Sequence, residues 1–284
     1  MKILTFDIED WFHILDNPST KTIRDWSNYP SRINEGMDHI FDILEKHKAG
    51  ATFFMLGWIA KKHPHILREI DNMGYEVGSH THMHQLIYEQ DKVSFKRDVE
   101  KSIKTIEDLI GKKVKYFRAP GFSIIDKNKW AFEVLYELGI EIDCSVFPAN
   151  RAHGGMPNFK SSLPSIIKYN NVSIKEFPIN ATKILGNQLI FSGGGYFRLF
   201  PYFLINHWTK KSNYIMTYFH PRDFDFEQPV LRDLPIKRLF KSYVGLKKTK
   251  NKLDKWVNDF KFVSLNEADE LTDWGKVPVI KLDS

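Results

Sequence analysis

Three histidines stand within five positions in the stretch GSHTHMHQ (78–85): His80, His82 and His84. On a helical turn His80 and His84 share one face and reach a single ion, whereas on an extended stretch all three point the same way. Spacing alone therefore keeps His82 in contention. A second cluster ends the first apolar run, where TFDIEDW (5–11) carries Asp7, Glu9 and Asp10. Three carboxylates after a buried strand repel one another and lose solvation unless a cation or an arginine compensates them. Two imidazoles and one carboxylate hold a divalent metal and leave positions open for water and substrate, which is a catalytic arrangement.

Other stretches have the same character. YFRAPGFS (116–123) supplies Arg118, a permanent charge able to hold an aspartate ionised, and a tight turn that can aim a backbone N–H inward. EIDCSVF (141–147) supplies Asp143, and the adjacent Cys144 reads as a small buried hydrophobe. FSGGGYFRL (191–199) is a glycine-rich turn with Tyr196 and Arg198, without the spacing and lysine of a phosphate loop. MTYFHPRDFD (216–225) brings His220, a candidate general acid whose pKa an acidic neighbour can set near neutrality.

These residues fall where an α/β fold collects its chemistry, at the C-terminal ends of strands. Apolar, β-branched runs at 2–8, 51–56, 75–80, 113–119, 140–147, 214–220 and 260–265 read as strands. Between them, 32–47, 63–74, 93–111 and 129–139 read as helices, as do RLFPYFLINHWTKK and the basic region 234–260. The stretch 164–180 reads as a hairpin with Asn170-Asn171 at its turn. Strand–helix alternation of this kind predicts one domain built on a parallel sheet, closed or nearly closed as a barrel.

The 284 residues carry a net charge of +6, which fits association with anionic surfaces or phosphorylated substrates; the 41 Lys and Arg are dispersed and no nucleic-acid motif appears. The N-terminus lacks a signal-peptide core, GATFFMLGWIA (50–60) is too short to span a bilayer, and a single cysteine excludes an internal disulfide. A cytoplasmic protein is expected. The basic amphipathic region reads first as an ordinary barrel helix with solvated lysines. The sharper expectation is docking on the anionic inner leaflet through Lys247, Lys248 and Lys250.

Taken in order from residue 2 to about 270, these motifs resemble the polysaccharide deacetylases of the NodB-homology fold, carbohydrate esterase family four. The narrower resemblance is to the cytosolic branch found in bacterial O-antigen, capsule and exopolysaccharide gene clusters. It implies a distorted (β/α) barrel and a hydrolase that removes an N-acetyl group from an amino sugar of a surface polysaccharide or its precursor, including a lipid-linked one. TFDIED implies Asp7 as general base and Glu9 as metal ligand, with Asp10 as rival because the family's usual adjacent aspartates are separated here. HTHMH matches H-[ST]-x-x-H, which assigns His80 and His84 to the metal, leaves out His82 and gives Thr81 the bracing of the loop. Arg118 would orient Asp7, Asp143 would tune His220, and His220 would be the general acid. Gly121, Phe122, Tyr196 and Arg198 are expected at the substrate. Zinc is the default metal, and Co²⁺, Ni²⁺, Mn²⁺ or Fe²⁺ would suit the same ligands. Two alternatives are an amidohydrolase acting on a different amide and an inactive sugar-binding barrel.

Overall fold

A computed structural model describes residues 1–15, 17–20, 22–150, 153–184 and 187–282. Its main sheet runs, strand by strand, Val279–Lys281, Ser165–Tyr169, Val172–Glu176, Ile142–Asp143, Tyr116–Phe117, Glu76–Ser79, Thr52–Met55 and Thr5–Ile8. Neighbours pair in parallel except within the hairpin 165–176, whose turn lies at Asn170-Asn171 as the sequence indicates. Thr5–Ile8 and Thr52–Met55 are buried at every position, the pattern of strands covered by helices on one side and filled core on the other.

Beyond Thr5–Ile8 the curl continues. Lys2–Ile3 pairs in parallel with Ile215–Met216, Phe6 bridges Phe219, and Tyr218 bridges Gly193. The remaining seam is crossed by single bonds: Met216 N donates to Asn180 Oδ1 at 2.9 Å, and the Tyr214 hydroxyl donates to the Pro178 carbonyl at 2.7 Å. The expected barrel is present and is distorted there, because individual bonds stand in for a strand ladder.

The helices form where apolar periodicity indicates. Ile33–His47 turns Ile33, Met37, Ile40, Phe41 and Leu44 inward. Lys92–Ile110 starts on Asp91, whose carboxylate accepts from Ser94 N, and stops at Gly111 in the left-handed region. Three expectations need correction. RLFPYFLINHWTKK is two helices, Gly194–Leu199 and Tyr202–Lys211, because Pro201 removes a backbone donor and restricts the residue before it. The region 234–260 is likewise two, Ile236–Tyr243 and Thr249–Asp259, separated at Gly245 with φ 73°. The stretch 260–265 is no full strand: Val263 makes one bridge to Ile3, and Ser264 caps the helix Leu265–Leu271.

Candidate metal centre and acid–base site

The C-terminal ends of the strands surround a cavity of about 1180 Å³. Asp7 lies within Thr5–Ile8 and Glu9 directly after it; His80 and His84 follow Glu76–Ser79, Arg118 follows Tyr116–Phe117, and His220 follows the segment 215–219. Strands far apart in sequence thus deliver their chemistry to one end.

Glu9, His80 and His84 converge, with one ligand atom from each lying within 4.8 Å of the others. Glu9 Oε1 is 3.0 Å from His80 Nε2 and 2.8 Å from His84 Nε2. His80 Nδ1 is 2.8 Å from the Arg118 carbonyl, which only accepts. That bond places the hydrogen on Nδ1 and turns Nε2, the atom available as a ligand, towards the carboxylate. Lone pairs meeting in a buried place need a cation between them, and two imidazoles with one carboxylate suit a divalent ion. The separations are close to those of neighbouring ligands on an ion with bonds of about 2.1 Å. The donor set fits a metal. Burial acts to raise the Glu9 carboxyl pKa; when the two imidazoles carry protons in place of an ion, the charge of His84, the hydrogen bonds from His80 and His84 and the charge of His220 hold it well below the usual range.

Convergence of His80 and His84 is not achieved by a helical turn. The loop is irregular, with φ 67° at Thr81 and 52° at His84, both in the left-handed region. Three supports hold this costly geometry. The Thr81 hydroxyl accepts from His84 N at 3.1 Å, Gly57 N donates to the Thr81 carbonyl at 2.9 Å, and Asp98 Oδ2 accepts from His82 N at 3.0 Å. The His82 ring turns away towards Gly57, where burial and the charges of Lys101 and Lys61 depress its pKa to about 4.

Asp10 is committed elsewhere. Its Oδ1 accepts from Trp11 N at 2.8 Å and Arg32 N at 3.2 Å, and Oδ2 accepts from the Ser31 hydroxyl. It fastens the chain entering the helix Ile33–His47 and faces no histidine of the metal group.

Arg118 is fully buried and donates from Nη1 to Asp7 Oδ1 at 2.7 Å and to the Thr5 hydroxyl at 2.8 Å. Asp7 Oδ2 is left towards His220 Nε2, 3.9 Å away. The carboxylate expected to tune His220 is a different one. His220 Nδ1 lies 3.2 Å from Asp223 Oδ2, which also accepts from His220 N at 3.0 Å. Burial alone would lower the His220 pKa; the Asp223 bond, with the charges of Glu9, Asp223 and Asp7, raises it instead. Asp143 instead accepts from the Ser145 hydroxyl at 2.6 Å and shares a proton with buried Glu176. Sequence reasoning missed Asp223, although its position three residues beyond His220 was a usable signal.

Arg198 lines the cavity, yet its nitrogens are already occupied. It pairs with Asp223 Oδ1 and donates to the carbonyls of Val244 at 3.1 Å, Lys241 at 2.6 Å and Ser242 at 3.2 Å. Burial opposes ionisation of Asp223, and the positive neighbours Arg198, His220 and Arg222 overcome it, driving its pKa far down. Tyr196, Gly121 and Phe122 line the cavity, the last two with positive φ, and Cys144 is buried.

Residues 4–142 match the family described as Polysaccharide deacetylase, and residues 144–270 match a Domain of unknown function (DUF3473). One sheet runs through both, because Ile142–Asp143 pairs with Tyr116–Phe117 on one side and Val172–Glu176 on the other. The chain is 34% identical over 95 residues to a peptidoglycan-N-acetylglucosamine deacetylase of Bacillus cereus, covering 33% of this chain and 34% of that protein. It is 33% identical over 82 residues to a chitooligosaccharide deacetylase of Azorhizobium caulinodans, covering 28% and 39%. The aligned part thus spans between a third and two fifths of those two relatives. Among solved structures, a polysaccharide deacetylase assigned by similarity from Mycobacterium smegmatis superposes with a TM-score of 0.65 at 17% identity, over 97% of this chain and 90% of that one. A carbohydrate esterase family 4 pseudoenzyme from Bacillus anthracis superposes at 0.51 with 12% identity, over 100% and 69%. Both share the fold. Residues 4–142 thus carry a domain of the polysaccharide deacetylase family, and the chain as a whole shares the fold of the solved structures it matches.

Proposed function

We propose that this protein is a metal-dependent carbohydrate N-deacetylase, hydrolysing the N-acetyl group of an amino sugar in a surface polysaccharide or its precursor. The observation that carries the reading is the meeting of Asp7, Glu9, His80, His84 and His220 at the floor of one large cavity. Glu9, His80 and His84 would hold the ion, with zinc the first choice for two histidines and a carboxylate. Bound there, a divalent ion supplies Lewis-acid polarisation of an amide carbonyl and a more acidic water.

The side chains divide the remaining work. Asp7 is oriented through Oδ1 by Arg118, so Oδ2 is the atom that takes the proton as water attacks the carbonyl carbon. His220, fixed at Nδ1 by Asp223, presents Nε2 to the cavity and delivers a proton to the departing amine. An amide needs that proton, because an amide anion is a very poor leaving group. Acetate and a free amino sugar result. A turn at Gly121 brings backbone to the cavity wall, where an N–H would steady the developing oxyanion; such a donor is worth about 3 kcal/mol.

A cavity of about 1180 Å³ suits several sugar units or a sugar joined to a carrier. We infer a cytoplasmic setting in O-antigen or exopolysaccharide assembly, to which the basic cavity rim described below is suited, because the inner leaflet is anionic. No helix among the described residues is long and apolar enough to cross a membrane. The test is acetate release from a panel of N-acetylated oligosaccharides, nucleotide sugars and lipid-linked sugars, with metal content measured on the same samples. Acetate from the metal-loaded parent and none from Asp7→Asn supports the reading. Stoichiometric metal with no acetate from any member would overturn it in favour of another amide or of sugar binding alone.

A further inference from the structure

One wall of the cavity carries a surface that the hydrolytic chemistry does not use. The helix Ile236–Tyr243 packs against Gly194–Leu199 at the cavity mouth. Ile236 is 84% exposed, Phe240 57% and Leu199 45%, an apolar cluster standing in water. Ile236 and Phe240 are one helical turn apart and form one strip; Lys237 and Lys241, both exposed, form the adjacent strip. Leu239 and Tyr243 point the other way, into the core. The charge around this helix is one-sided. Between Asp233 and Asp254 the chain has seven Lys or Arg and no Asp or Glu. Scattered exposed apolar residues are ordinary, but a basic-flanked cluster on the lip of a cavity is not.

We propose that this lip is a docking surface for an anionic lipid bilayer, with Ile236, Phe240 and Leu199 entering the interface and Lys237 and Lys241 meeting the headgroups. The complementarity is double: the acyl boundary accepts the apolar strip, and anionic headgroups attract cations set immediately beside it. A soluble anionic glycan satisfies the lysines and leaves the apolar strip in water, so it accounts for half of the surface. The site differs from the one that the charge run alone suggested. Lys250 is committed to Asp42 at 3.0 Å and to His39.

Docking there would turn the cavity mouth to the membrane plane, where a lipid-linked sugar is presented. The rim is also joined to the acid–base residues, because Arg198 holds the Lys241 and Ser242 carbonyls and Asp223 together. The purpose assigned to docking rests on the deacetylase reading, whereas lipid binding itself does not. A binding assay without turnover separates the two.

The experiment is co-sedimentation of the full chain with vesicles of phosphatidylcholine containing 30% phosphatidylglycerol, and with phosphatidylcholine alone, at about 50 and 500 mM salt. Parent protein should bind the anionic vesicles at least tenfold more tightly at low salt. Phe240→Ser with Ile236→Ser, and separately Lys237→Glu with Lys241→Glu, should each lose most of that binding while circular dichroism and melting stay those of the parent. No binding of the parent to anionic vesicles at low salt would overturn the proposal. So would full binding by the Ser variant, which would reduce the effect to bulk charge. Concentration-dependent dimerisation abolished by the same Ser pair would also overturn it, assigning the patch to a second copy of the chain.

Discussion

His220 and Asp223 share a short 3-10 turn, and the Asp223 carboxylate accepts both the ring Nδ1–H and the backbone N–H of His220. One carboxylate therefore sets which nitrogen faces the cavity, and Arg198 in turn holds that carboxylate. Both the proposed acid and its partner come from the segment 144–270, while the metal group comes from 4–142.

Asp223→Asn is expected to lower kcat by about 10- to 100-fold with little change in KM, because His220 loses both its charge partner and its fixed tautomer. Its alkaline limb should move to lower pH, since the carboxylate is the main influence that raises His220. Asp143→Asn should leave the pH profile of kcat in place. A profile moved by Asp143→Asn and untouched by Asp223→Asn would reverse the assignment.

His80→Ala, His84→Ala and Glu9→Gln should each reduce bound zinc measured by mass spectrometry, and Asp7→Asn should keep it. Chelation of the parent should lower its melting temperature. A ligand bound only by the folded state at 100 times its Kd adds about 2.7 kcal/mol. Asp10→Asn should retain the metal, because Asp10 bonds to Ser31 and Arg32. Loss of zinc from Asp10→Asn alone would contradict the ligand set.

Gly57→Ala tests the scaffold of the histidine loop. A β-carbon there would stand 2.6 Å from His82 Nδ1 and 2.9 Å from Ser102 Cα, closer than van der Waals contact allows. The expected cost is about 1–3 kcal/mol of stability together with weaker metal binding, as the loop carrying His80 and His84 is pushed outward. Urea unfolding and a zinc competition titration measure the two effects. Unchanged values in both would show that the loop does not depend on this close approach.

Glu176→Gln addresses the buried carboxyl pair. Burial and the neighbouring Asp143 raise the Glu176 pKa well above its ordinary value of 4.5. With the folded value above the unfolded one, the proton stabilises the fold fully at low pH, and that contribution is lost as pH rises through the folded pKa. Parent stability should therefore fall above about pH 4.5, by up to about 1.4 kcal/mol per pH unit while the folded group keeps its proton. The Gln variant lacks this slope, so its stability relative to the parent should improve between pH 5 and 8. Parallel stability curves for the two proteins would refute the shared proton.

Local sequence was enough for the long helices of the first half and for most of the residues that can do chemistry. Apolar periodicity placed Ile33–His47 and Lys92–Ile110 within a residue or so, because a helix facing a core must repeat its apolar positions every three to four residues. The strand ends carrying Asp7, Glu9, His80, Arg118 and His220 were equally legible, since ionisable groups directly after buried runs stand out in one dimension. What the sequence left open was decided between segments distant along the chain. Glu9 and Asp10 are adjacent and chemically alike, and only the arrival of Ser31 and Arg32 on one and of His80 and His84 on the other separates them. Asp143 and Asp223 were equally available to His220, and the winding of the barrel placed Asp143 beside Glu176. Arg198 looked like a substrate contact because nothing in its own stretch shows the three carbonyls and the carboxylate that consume its donors. A residue's type fixes the bonds it is able to make, and the tertiary packing determines which of them are already taken.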